Sequence, residues 1–325
     1  QTVLASLICI VIGLIVGFVV LLIISPSGAG KAIIAIMKNF FYYPNAAAAT
    51  KYFGTTLIKA SALLMCALSV IFAYKVGLFN IGAAGQYVIG AGGCLYMALR
   101  FNLPWYICLI AGVLIAAAVG GISGALKAYL NVNEVISCIM LNWISLYSVN
   151  MLLSQVKDGS TPYTKLLFSY NKSAMLPTAG LNELFHNKYM TIGVPMAVIA
   201  AIIVWVVLQK TKFGFELKAT GINKLAVKYC GMHEKRNIMG FNGIAAAFLG
   251  GLDPIGTIFA SYFIQHITSG GTYVDTTTYC TQISDLISAF IIYLCAFVFF
   301  FKIWFNRYLD KKEEKSVKVK KGGRK

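Results

Sequence analysis

Apolar runs of about 20 residues recur along the chain, each long enough to cross the roughly 30 Å hydrocarbon core of a bilayer as a helix. They cover residues 3–24, 55–73, 79–99, 104–127, 135–153, 191–208 and 283–303, with two shorter apolar pieces at 241–250 and 255–267. The pattern predicts an all-α, polytopic transmembrane helical bundle with about nine visible membrane segments, some short or broken. Pro104 opens one span, since proline is tolerated in a first helical turn. Residues 25–54 read as a loop, in which Ala46 to Ala49 form a helix lying along the interface. Residues 154–188 are polar and punctuated by proline, and read as a second loop on the same side.

One apolar run carries polar punctuation at membrane depth. Between residues 77 and 86 it holds glycines at 77, 82 and 85 and amides at Asn80 and Gln86. Polar groups inside a bilayer must be satisfied within the protein or at a watery cavity. A helix broken there, with close backbone approach at the glycines, fits a permeation route. Glycines that merely let helices pack closely would explain part of the pattern.

Composition agrees: 58% of the 325 residues are hydrophobic and 12% are charged. The net charge of +17 is concentrated, with +5 over residues 209–236 and +7 over residues 302–325. The positive-inside rule puts both stretches, and hence both termini, in the cytoplasm. The first run lacks a basic leader and a small-residue cleavage site, so it reads as a retained span. Charge flanked by spans belongs to a membrane surface and not to nucleic acid. The eight cysteines form no CxxC pair and the three histidines no ligand spacing, so cysteine acts as a small hydrophobe and no metal site is expected.

Three segments then carry a resemblance, in order. Residues 77–86 read GLFNIGAAGQ; Asn133 and Glu134 open NEVISCIMLN; residues 211–231 read TKFGFELKATGINKLAVKYCG. Together they resemble the permease subunits of bacterial ATP-binding cassette importers in the branched-chain amino acid/ribose permease superfamily. Within it the likeness is to the simple-sugar and nucleoside branch that works with basic-membrane-protein-type binding lipoproteins. The resemblance implies a subunit of the bacterial cytoplasmic membrane that translocates nucleosides or simple sugars inward. Its implied partners are one or more ATPase subunits, a second, paralogous permease subunit, an external substrate-binding lipoprotein and membrane lipid. No GxxxxGK[ST] loop occurs in the chain, so ATP and magnesium would be held by the ATPase, and no cofactor or catalysis is expected here.

Residues 1–306 form the expected permease domain and residues 307–325 a basic tail. Residues 209–236 are the expected coupling segment, with Gly221 and Gly231 bounding a short cytoplasmic helix. Its Asn223, Ala226 and Val227 would meet the ATPase. Asn80, Gln86, Asn142, Trp143 and Asn242 would lie along the path, neutral amides suiting an uncharged polyhydroxylated solute. Asn133 and Glu134 would cap a helix N-terminus, with Gly82 and Gly85 serving close packing.

Around residues 239–240 the chain departs from the family, which places an outward helix and an external stretch there. The charge count demands the same piece, because without it the basic tail falls outside. One span is therefore expected to be missing at Met239/Gly240, and a normal peptide bond would leave a kinked span broken at Pro254. An ion-coupled secondary transporter or channel is the alternative, but it would need intramembrane carboxylates, and only Asp253, Asp275 and Asp285 come near. A membrane enzyme would need a nucleophile–base or metal constellation that is not found.

Overall fold

The computed structural model describes residues 2–43, 45–76, 80–158, 167–222, 252–275, 278–279 and 283–295. Among these the chain is helical, with no strand of a sheet. Ten helices have ten or more residues: α1 (Thr2–Ile24), α2 (Ala29–Lys38), α3 (Ala46–Lys75), α4 (Ala83–Arg100), α5 (Trp105–Leu130), α6 (Glu134–Ser154), α7 (Gly193–Lys210), α8 (Lys212–Ile222), α9 (Pro254–Gly270) and α10 (Ile283–Cys295). Five, namely α1, α3, α5, α6 and α7, are long and apolar enough to cross a membrane.

The interfacial helix expected at Ala46 to Ala49 is instead the first turn of α3, a single helix of 30 residues. At 1.5 Å per residue it is about 45 Å long, longer than a hydrocarbon core of about 30 Å. Asn45 starts it by accepting the Ala47 amide at 2.9 Å. The loop expected over residues 25–54 therefore shrinks to the ends of α2, a short 3-10 turn (Asn39–Tyr42) and the Asn45 cap.

Two groups of helices form. In the first, α4 lies between α5 and α6, and glycines set the distances. Gly85 and Gly92 of α4 face Asn142 and Val149 of α6, while Gly90 and Gly93 face Gly112, Ala116 and Ile115 of α5. In the second group α3, α7 and α9 pack together with α1, α2 and α10 around them. There Gly13 and Gly17 of α1 seat Ile291 and Ile287 of α10, a small-xxx-small face of the kind that brings helix backbones close in lipid.

A buried polar node ties α2 to α9. The Asn39 amide donates to the His266 carbonyl at 3.0 Å and to Nδ1 of the same ring at 3.2 Å. His266 Nε2 then donates to the Met37 carbonyl at 3.0 Å. His266 is thus a structural residue, and no group of potential metal ligands exists among the described residues.

The connection from α6 to α7 is pinned to both groups by buried asparagines. Asn171, 6% exposed, donates to the Ala98 and Leu103 carbonyls at the α4–α5 turn. Asn187, 3% exposed, donates to the Lys51 carbonyl and the Thr55 hydroxyl of α3 and accepts the Tyr189 amide. Removing the second amide strands buried polar partners at about 1–3 kcal/mol. Asn187→Ala is expected to speed cleavage by added trypsin at the exposed Lys172 and Lys188 several-fold, with Glu183→Ala unchanged. Equal cleavage rates in the two variants would show that the anchor does not hold this connection.

Candidate functional site

The chain passes from α3 to α4 through a break in the helix. Val76 closes α3, and α4 begins only at Ala83, so Asn80, Ile81 and Gly82 are non-helical. The first amides of any helix lack partners within it, and a side chain at the N-cap supplies one of them. Here the N-cap is Gly82, which has no side chain.

Asn142 supplies what Gly82 lacks. Its Oδ1 accepts the Gly85 amide at 2.8 Å, and its Nδ2 donates to the Ile81 carbonyl at 3.1 Å. One carboxamide, held on α6, therefore caps α4 and clamps the residue before it. The approach requires Gly85, because a Cβ there would lie 2.6 Å from Asn142 Oδ1 and 2.7 Å from its Cα. Asn142 is eight residues into α6, about 12 Å from its first residue at 1.5 Å per residue.

Asn80 works on the same turn. Its side chain accepts the Gly82 amide at 2.9 Å and the Cys138 thiol of α6 at 2.8 Å. At 1% exposure it is sealed in the protein. Gln86, one turn into α4, lies against α5 at Gly120, where a Cβ would sit 2.9 Å from its Nε2. Asn80, Gly82, Gly85 and Asn142 are thus brought together in one glycine-lined polar knot, while the Gln86 side chain packs on α5. The sequence reading had Asn80 and Asn142 facing a solute; the structure engages both carboxamides with the backbone of the break. Trp143 turns away from the knot, is 54% exposed, and stacks on Tyr147 at 6.0 Å. Asn242 lies outside the described residues.

Asn133 caps α6 by accepting the Val135 and Ile136 amides. Glu134 pairs with Lys127 at 2.9 Å, which closes the α5–α6 turn and places each charge at the helix end whose dipole favours it.

At the same end of the bundle, α8 folds back on α7. Thr211 links them, its hydroxyl donating to the Val207 carbonyl at 2.6 Å and accepting the Gly214 amide at 3.1 Å. Gly214 is pressed so closely on Val207 and Leu208 that any Cβ would collide with backbone. Leu217 is fully buried in an apolar cluster with Leu208, Ala73 and Val76, and Phe213 meets Phe72 at 6.3 Å. The start of the expected coupling segment therefore rests on the last turn of α3, directly before the break. Gly221 lies in the last turn of α8; Asn223, Ala226, Val227, Gly231 and the Met239/Gly240 junction lie outside the described residues. Sequence reasoning missed Gly214, although it stands inside the motif quoted for the segment.

Residues 52–239 match the family described as branched-chain amino acid transport system, permease component. The guanosine ABC transporter permease protein NupP of Bacillus subtilis is 30% identical over 305 residues, covering 82% of this chain and 85% of that protein. The nucleoside ABC transporter permease protein NupB of Lactococcus lactis is 30% identical over an alignment of 365 positions, covering 98% of each chain. A glucose ABC transporter permease of Haloferax volcanii is 33% identical over 222 residues, 63% of this chain and 58% of that one. No solved structure matches.

Proposed function

The chain belongs to the branched-chain amino acid transport system permease family, and from that premise we propose that it carries nucleosides across the membrane and takes its driving force through α8. It is a multi-pass permease subunit of an ATP-binding cassette importer for nucleosides or sugars. The nucleoside assignment rests on the names of the two relatives that cover most of the chain. ATP hydrolysis belongs to a separate ATPase, and solute arrives from an external binding lipoprotein. A second, paralogous permease completes the pore. Both termini and α8 face the cytoplasm of a bacterial cell, as the basic stretches require.

One observation carries the mechanism: α8 is seated on the end of α3 that leads into the break. A push on α8 moves Leu217 and Phe213 against Ala73, Val76 and Phe72, and so moves the break. Asn142 and Asn80 hold that break in one shape and act as positioning residues, while Gln86 and Asn242 are the amides proposed for the path, with Trp143 flanking it. Residues 223–231, with Ala226 and Val227 at the contact, dock in the ATPase. The helices α4, α9 and α10 join the five long spans as shorter membrane segments, eight among the described residues; the ninth expected segment, residues 241–250, lies outside them.

The missing outward span has two supports. The family match stops at Met239. The alignment with the Lactococcus relative has 365 positions against 325 residues here, so at least 40 positions of that relative lack a counterpart.

The test is uptake by membrane vesicles containing the chain with its ATPase, binding protein and second permease. Tritiated guanosine should accumulate only with ATP inside the ATPase compartment, and should stop when the ATPase is poisoned by vanadate. Uptake driven by a proton or sodium gradient without ATP would favour a secondary transporter and overturn this reading.

A further inference from the structure

At the end of the bundle opposite α8, a cavity of about 730 Å³ opens between α2 and the segment that follows α9. Its position follows from α9, whose N-terminal neighbour Leu252 and Ile258 pack with the α8 cluster while its C-terminal Gly270 packs on Ile36 of α2. Ligand sites commonly measure about 300–1,000 Å³, so the cavity is of that size.

Its walls carry mixed chemistry. Lys31 and Lys38 of α2 line one side, and seven residues advance about 700°, so both lie on one helix face. Asp275 and Thr278 line the other side, with the Thr278 hydroxyl donating to Asp275 Oδ2 at 3.1 Å. Tyr43 and Tyr273 form the aromatic part, edge to face at 5.3 Å. Tyr52 stacks on Tyr43 at 4.6 Å and meets Tyr273 edge-on at 6.0 Å, so three rings fix one another.

We propose that this cavity is a receiving site on the permease for a neutral ring solute bearing vicinal hydroxyls, a nucleoside or a hexose. Hydroxyls both donate and accept, so such a solute uses the carboxylate and the ammonium groups at once. The tyrosines supply an apolar, polarised surface for a base or sugar ring. A phosphate would gain from the lysines but would be repelled by Asp275 on the facing wall. The site deepens the importer reading and rests on it: solute released on the external side would be held here before entering the path.

Binding of tritiated guanosine to the full chain with its ATPase in lipid nanodiscs, without the binding protein, tests the site. Saturable binding is expected, displaced by unlabelled guanosine or glucose and not by inorganic phosphate at equal concentration. Asp275→Asn, Lys38→Met and Tyr273→Ala should each weaken it at least fivefold, while Lys172→Met, at another exposed lysine, leaves it unchanged. The conservative Asp275→Asn keeps an acceptor for Thr278 and guards against a folding defect. No saturable binding, equal displacement by phosphate, or wild-type affinity in both Asp275→Asn and Lys38→Met overturns the site. ATP-driven uptake by the complete assembly is scored in parallel. Wild-type uptake with unaltered binding in the variants sinks the cavity alone; no wild-type uptake of guanosine or glucose sinks the importer reading beneath it.

Discussion

Asn142→Leu is expected to lower ATP-driven solute uptake by about ten- to a hundredfold while leaving capture by the binding protein intact. Leucine keeps the branching and the number of side-chain heavy atoms but has no polar atom, so the Gly85 amide and the Ile81 carbonyl both lose their partner. Each buried polar group left unsatisfied costs about 1–3 kcal/mol, and about 1.4 kcal/mol of barrier is a factor of ten in rate. Gly85→Ala attacks the same contact from the other helix, since the added Cβ would lie 2.6 Å from Asn142 Oδ1. Two lesions in one clamp should be non-additive. The double variant is therefore expected to transport about as well as the worse single one. Independent, multiplying losses would mean that Asn142 acts on the solute and not on the break.

How much of this was legible in the sequence depends on what kind of signal each residue leaves. Five spans, α1, α3, α5, α6 and α7, were legible because about twenty apolar residues are needed to cross lipid. Asn133 was legible as a cap because its partners lie two and three residues on. Asn142 stood out in the sequence as an amide within an apolar run, but its partners are 57 and 61 residues away. Sequence spacing cannot tell a side chain that faces a solute from one that caps a distant helix. The extent of α3 was misjudged for another reason. Lys51, Tyr52 and Gly54 separate Ala46 to Ala49 from the apolar run that follows, yet α3 runs through all of them once Asn45 has capped it. Asn171 and Asn187 left no pattern at all, since a loop asparagine bound to remote carbonyls looks like any other polar loop residue.

Gly214 marks the same limit at the α7–α8 elbow, and it yields the second large effect. The α7–α8 elbow is tight because nothing but hydrogen stands between the Gly214 Cα and the backbone of Val207 and Leu208. Alanine there must push α8 away from α7, since the obstacle is main chain and cannot rotate aside. Overpacking of this kind costs about 1–3 kcal/mol, and the displacement draws Leu217 and Phe213 off the end of α3. Gly214→Ala is therefore expected to reduce uptake at least tenfold and to abolish the stimulation of ATP hydrolysis by solute-loaded binding protein. Membrane insertion and the unstimulated hydrolysis rate should persist. Gly30→Ala is the control, because a Cβ at Gly30 meets nothing within 4 Å; it should transport normally. Leu217→Ala should reproduce the coupling loss by a different route, emptying the buried contact with Ala73 and Val76 while sparing the elbow. If stimulated hydrolysis is normal in both Gly214→Ala and Leu217→Ala, force does not pass from α8 to α3, and the break must be driven from elsewhere in the bundle.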